Sequence, residues 1–231
     1  MFFPYYDPTM IILIPAILLS LYAQAKVQGA YGRYSQVRAS VGLTGAAVAR
    51  QLLRQANIDD VEVEMVPGKL TDHYDPRTKK LRLSPQVYQS SSIAALGIAA
   101  HETGHAIQHD VGYFPLAFRN NLAPVAQIGS NLAFPLLIFG LIIGSLNLAK
   151  LGVYAFVAVV LFQLVTLPVE FNASRRAIAL LEGGGYLTRE EVGPAKSVLS
   201  AAALTYVAAA LSAVLSLVRL LLLSGLLRRD D

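Results

Sequence analysis

The sequence predicts a mainly α membrane protein, with about four transmembrane helices joined to a small α+β cytoplasmic domain. Three observations carry that reading. Apolar residues make up 55% of the 231 and the mean hydropathy is +0.50, above the roughly 45–50% apolar content of ordinary globular domains. The excess is concentrated in four nearly charge-free blocks, residues 9–25, 124–146, 151–169 and 201–223. Of the 19 Lys and Arg, 11 fall in the one long stretch between the first two blocks, residues 26–120.

A helix crosses the hydrocarbon core with about 17–25 apolar residues. The second, third and fourth blocks meet that length, while the first is short and holds Pro15. Four such helices leave a chain of this size too little polar surface to cover them in water. Ala23-Gln24-Ala25 before Lys26 is like a signal-peptidase site, but residues 1–9 carry Asp7 and no basic residue, so an uncleaved anchor is expected. Basic residues crowd 26–120 and recur in 170–200 as Arg175, Arg176, Arg189 and Lys196. The positive-inside rule then places both stretches in the cytoplasm of a multi-pass cell-membrane protein, with Arg228 and Arg229 against the rule. The segmentation that results is 1–25, first transmembrane helix; 26–120, cytoplasmic domain; 121–169, transmembrane hairpin; 170–200, cytoplasmic helical segment; 201–231, fourth transmembrane helix and tail. The net charge of +4 comes with no basic stripe interleaved with aromatics, so no nucleic-acid partner is expected and the lipid bilayer is. Absence of cysteine excludes disulfides, thiolate ligands and a cysteine nucleophile.

Within 26–120, Thr44 is positioned to cap a helix over 44–56, in which Val48, Leu52, Leu53 and Ala56 recur at helical spacing. Val61-Glu62-Val63-Glu64-Met65-Val66 alternates as a strand does. Residues 69–74 and 80–84, around the turn Asp75-Pro76-Arg77-Thr78, form a predicted β-hairpin. Ser91 or Ser92 caps the next helix, expected over 93–109. Residues 170–200 are expected to be helical on both sides of Gly183-Gly184-Gly185.

That second helix carries His101-Glu102-Thr103-Gly104-His105, an H-E-x-x-H motif. Four-residue spacing stacks both imidazoles on one helical face, where they can grip one Zn2+, and sets Glu102 beside the pair as a general base for a metal-activated water. All four histidines of the chain fall within residues 73–109. The domain is therefore expected to be zincin-like, and the activity to be zinc-dependent hydrolysis of peptide bonds in protein or peptide substrates, membrane proteins among them. The alternative is a catalytically inactive zinc-binding membrane scaffold. A structural zinc prefers four protein ligands and needs no base, so Glu102 favours the enzyme.

A catalytic site needs a third protein ligand. His109 lies about 12 Å of helical rise from His101 and cannot join it on one ion. Glu170 is the leading candidate: it follows a 19-residue apolar block, where an ionisable group is expensive unless paired or bound to metal. Asp72, Asp75 and Asp110 are weaker candidates, since acids are common in turns and loops. On the substrate side, 80–84 or 70–74 could offer an edge strand to an extended peptide. His73 or Tyr74, or else Arg175 or Arg176, could hydrogen-bond the developing oxyanion. The sequence assigns neither a cleavage preference nor an oligomeric state.

These residues resemble the YugP-type membrane zinc metallopeptidases, a neutral zinc peptidase family. The likeness lies in Phe2-Phe3-Pro4, in Leu70-Thr71-Asp72-His73-Tyr74-Asp75-Pro76, in 99–109, in 164–176 with Leu167-Pro168-Val169-Glu170-Phe171-Asn172-Ala173-Ser174-Arg175-Arg176, and in 199–210. It implies a multi-pass membrane zinc peptidase. A more distant similarity to HtpX-type and CAAX-processing membrane gluzincins implies a zinc-binding Glu at 170, opening an E-x-x-x-D segment. Here Ser174 stands where that Asp would be, so Asn172 or Ser174 is expected to bond a zinc-bound imidazole instead.

Overall fold

The computed structural model describes residues 8–225; the expected Phe2-Phe3-Pro4 likeness and the Arg228–Arg229 exception lie outside them. A 3₁₀ segment, Pro8–Leu13, leads into α1 (Ile14–Tyr34), as Pro15 allows, since proline is tolerated in the first helical turn. Then come α2 (Gly45–Gln55), β1 (Glu62–Met65), β2 (His73–Asp75), β3 (Lys80–Leu83), α3 (Pro85–Tyr88), α4 (Ile93–Asp110), α5 (Phe114–Ile142), α6 (Leu146–Gly183) and α7 (Arg189–Leu223). The protein is mainly helical; the described residues hold one small three-stranded sheet and four helices long and apolar enough to cross a membrane, Pro8–Tyr34, α5, α6 and α7. By its contacts the chain divides into two compact units, the first of Met1–Tyr22, Phe118–Leu167 and Thr205–Asp231, the second of Ala23–Ala117 and Pro168–Leu204.

In the first unit α5 and α6 form a helical hairpin that turns at Gly144, whose φ of 69° few side chains adopt without strain. The two helices touch backbone to backbone. A Cβ on Gly152 would stand 2.6 Å from Ala133 O, and one on Gly129 would overlap Ala155 O. Small residues thus supply the close packing that apolar surface alone does not drive in lipid. Leu137, Ala149, Val153 and Leu220 close a buried cluster there.

The second unit is built around α4. Ser92 Oγ accepts from Ala95 N at 3.2 Å, as a serine N-cap should, and Thr44 caps α2 the same way through Ala47 N. Helix α2 ends where Asn57 takes φ 57°, matching the expected stop. The expected hairpin is present as β2 and β3, and β1 joins it on the far side of β3. The order is β1-β3-β2, with β1 parallel to β3 and β2 antiparallel to it. β3 is central and paired on both sides, so the expectation that residues 80–84 could serve as a free edge is corrected; β2 and β1 are the edges. The reason is β1, which returns to pair with β3, its Val63 opposite Leu81. Leu81 and Leu83 point into a core shared with Ala95, Ala99 and Ala106 of α4 and with Leu53 of α2. The other face of α4, Ile93, Leu96 and Ala100, is buried against Ala177 and Leu181 of α6 and Leu199 of α7. At the start of α7, Glu191 accepts from Thr188 N at 2.9 Å and from both the backbone N and the hydroxyl of Ser40 at 2.7 Å, tying α7 to the segment before α2.

Candidate metal centre

Helix α4 is enclosed almost all round, and its polar residues Glu102, Thr103, His105 and Gln108 are buried with the apolar ones. Polar groups in such a place need partners. Thr103 returns its hydroxyl to Ala99 O at 2.8 Å within the helix. His101 and His105 stack one turn apart, ring centroids 4.8 Å and planes near perpendicular at 88°.

The partner for both comes from α6. Its residues 170, 173, 174, 177 and 181 share one stripe by helical periodicity, and the small members let it approach. A Cβ on Gly104 would stand 2.8 Å from Ala173 O and 3.2 Å from Ala173 Cα, so the glycine inside the motif is what allows the two helices to touch. That contact carries Glu170 to the imidazoles: its Oε2 lies 3.2 Å from His101 Nε2 and 3.5 Å from His105 Nε2, with only 4% of its side chain exposed. One turn further along the stripe, Ser174 Oγ meets His101 Nδ1 at 3.1 Å. His101 is therefore engaged at both ring nitrogens from the same face of α6.

The donor atoms of His101, His105 and Glu170 all lie within 4.8 Å of one another, close enough to hold a metal ion. Ligand atoms about 2.0–2.1 Å from a tetrahedral zinc sit about 3.3–3.4 Å apart, and the two His–Glu separations of 3.2 and 3.5 Å bracket that spacing. Two nitrogens and one carboxylate oxygen form a donor set that suits zinc and leaves a fourth position. The residues fit the ion.

Glu102 is 8% exposed, and burial pushes its carboxyl up to about 7; the neighbouring Glu170 and Asp72 carboxylates push the same way and His101 opposes them. His73, on the edge strand β2, is near enough for its charge to bear on Glu102. Its Nδ1 donates to Thr71 O at 2.8 Å, so its Nε2 can donate to anything else only when the ring is protonated. Neighbouring strand residues face opposite ways, and the Tyr74 hydroxyl is 2.9 Å from His109 Nδ1, at the end of α4 beyond the pair. Arg175 Nε donates to Phe171 O and Arg176 Nε to Asn172 Oδ1. Of the weaker acids, Asp72 accepts from the backbone and hydroxyl of Ser84, and Asp75 closes its own turn through Arg77 N and Thr78 Oγ1.

Gln108 is the residue the sequence argument passed over. It is fully buried, with Oε1 3.0 Å from His105 Nδ1 and Nε2 2.9 Å from both Val169 O and Asn172 Oδ1. Of the two residues expected to bond an imidazole, Ser174 does so at His101 Nδ1, while Asn172 reaches His105 through Gln108. The available signal was position: Gln108 lies three residues after His105, one turn along the same face.

Comparison with known proteins agrees with this geometry. Residues 9–225 match the model of a family described as "Putative neutral zinc metallopeptidase". The chain is 48% identical over 210 residues, 91% of its length and 93% of the relative's, to a Bacillus subtilis (strain 168) protein named "Putative membrane protease YugP". No solved structure matches. With nearly its whole length matched, the chain belongs to the family described as "Putative neutral zinc metallopeptidase".

Proposed function

We propose that this protein is a membrane-embedded zinc endopeptidase that cleaves protein or peptide substrates at the cytoplasmic surface of the cell membrane. The observation that carries the reading is the convergence of His101, His105 and Glu170 beside a buried carboxyl, Glu102. In this reading those three residues hold the metal and Glu102 is the base. When bound, zinc lowers the pKa of a water and polarises a scissile carbonyl. Glu102 takes the proton of the attacking water and passes it to the leaving amine. In this reading His73 hydrogen-bonds the oxyanion while Thr71 O holds its other nitrogen. β2 is an edge strand, the position at which an extended substrate would add to the sheet. The cytoplasmic placement rests on the 15 basic residues of 26–120 and 170–200. A site in a segment between membrane spans favours juxtamembrane or unfolded stretches of membrane proteins as substrates.

Proteolysis of an unfolded protein such as casein by the purified, full-length chain tests the proposal. Chelation should abolish it and zinc restore it. Glu102→Gln should bind zinc with unchanged stoichiometry while the rate falls about 10²–10⁴-fold, the usual contribution of a general base. Undiminished cleavage by Glu102→Gln would remove Glu102 from the mechanism. Zinc uptake without any cleavage would leave the scaffold reading in its place.

A further inference from the structure

We infer that Gln108 is a positioning residue that fixes the tautomer of His105 and so raises the affinity of the centre for zinc. The inference rests on the zinc reading but concerns a residue that reading does not use. Its starting point is a donor without ambiguity. Arg176 Nε carries a hydrogen and cannot accept, and it lies 2.8 Å from the Asn172 side chain, so the Asn172 atom there is oxygen. That oxygen and Val169 O both face one terminal atom of Gln108 at 2.9 Å. Two acceptors on one atom require the amide nitrogen, and they use both of its hydrogens.

Gln108 Oε1 is thereby turned toward His105 Nδ1, 3.0 Å away, and that nitrogen must be the one that carries the proton. A neutral His105 then presents its lone pair at Nε2, which is 3.5 Å from Glu170 Oε2. Two lone pairs facing each other repel unless a cation, a proton or a metal, lies between them. The network therefore prepares His105 as a metal ligand and not as a donor to Glu170. His101 lacks this device. The Ser174 hydroxyl at its Nδ1 can donate or accept, so that ring is oriented without its tautomer being fixed. The bland alternative for Gln108 is a buried amide that only fastens α4 to α6, and this would lower stability when removed while leaving metal affinity alone.

Competition of the purified full-length protein with a chromophoric chelator gives the zinc Kd. The cobalt(II) d–d absorption reports the coordination sphere, and melting of the metal-free protein reports the fold. Gln108→Met keeps the volume but offers no oxygen acceptor; its zinc Kd should weaken about 10–100-fold with a weaker cobalt band. A Gln108→Met protein that binds zinc as tightly as the wild type overturns the inference. Should Gln108→Met not fold, the imidazole nitrogen-15 shifts of the metal-free wild type decide: a proton on His105 Nδ1 with a bare Nε2 supports the inference, and a proton on Nε2 with a bare Nδ1 overturns it. A wild-type chain that takes up no zinc would instead remove the metal reading itself, so the two failures are distinguishable.

Discussion

The two helices that meet at the candidate metal centre are held in opposite ways. Of the 18 residues of α4, 14 are buried, and core clusters lie on both of its flanks. The part of α6 that meets it buries a single stripe, Val169, Glu170, Ala173, Ala177 and Leu181, while Phe171 and Arg175 are exposed. A side chain on α4 has its rotamer limited from every side, which suits ligands that must be held within a fraction of an ångström. A side chain on α6 is placed by one contact line and depends on how closely that line can approach. The difference teaches that the centre should be lost by parting the helices more readily than by weakening either one.

Gly104 is where that comparison breaks first. Its Cβ position is 2.8 Å from Ala173 O, a backbone atom that cannot swing aside. Gly104→Val should cost about 1–3 kcal/mol by overpacking and, because α6 must retreat, should also weaken zinc binding sharply. Gly104→Ala should do the same to a smaller degree. Chelator competition and thermal melting read the two effects separately. If Gly104→Val melts early yet binds zinc as the wild type does, the Gly104–Ala173 contact is not what sets the ligand spacing.

How much of this was legible follows the same division. The pairing of His101 with His105 and the caps Thr44 and Ser92 were readable because each argument spans at most one or two turns of one helix. Glu170 was approachable only as an anomaly, an acid after an apolar block, since its meaning lies in atoms 69 residues away in sequence. Gln108 was missed because a glutamine announces nothing until its three partners, His105, Val169 and Asn172, are known. The hairpin of β2 with β3 was legible, but the second neighbour of β3 was not, for a related reason. Alternation identifies strands but carries no information on pairing order, so the parallel pairing of β1 with β3 could not be read from either strand alone.

A second test changes α4 without moving α6. Ser92→Ala removes the cap on Ala95 N and should cost about 1 kcal/mol, lowering the melting temperature. The enclosed helix keeps its position, so the zinc Kd of the folded protein should not change. A large loss of zinc affinity in Ser92→Ala would show that α4 is held less firmly than its burial implies.

The smallest effect is expected on the sheet, which packs on α4 but contributes no ligand. Hydrogen bonds from Lys80 at 2.7 Å and Arg82 at 2.6 Å hold the Glu64 carboxyl below its ordinary range, against a smaller desolvation effect. A carboxyl whose pKa is lower folded than unfolded stabilises the fold above its unfolded value, near 4.5, and that contribution fades as pH falls through the folded value. The groups are exposed enough for salt to screen them. The melting temperature of the wild type should therefore exceed that of Glu64→Gln slightly at pH 6–7, and the gap should close as the pH is taken below about 4 or the salt is raised. Zinc affinity at neutral pH should be the same in both, because no strand side chain is among the three proposed ligands. A Glu64→Gln protein with impaired zinc binding would mean that the sheet sets the angle of α4, and the division between a firmly held helix and a lightly held one would have to include what lies beneath it.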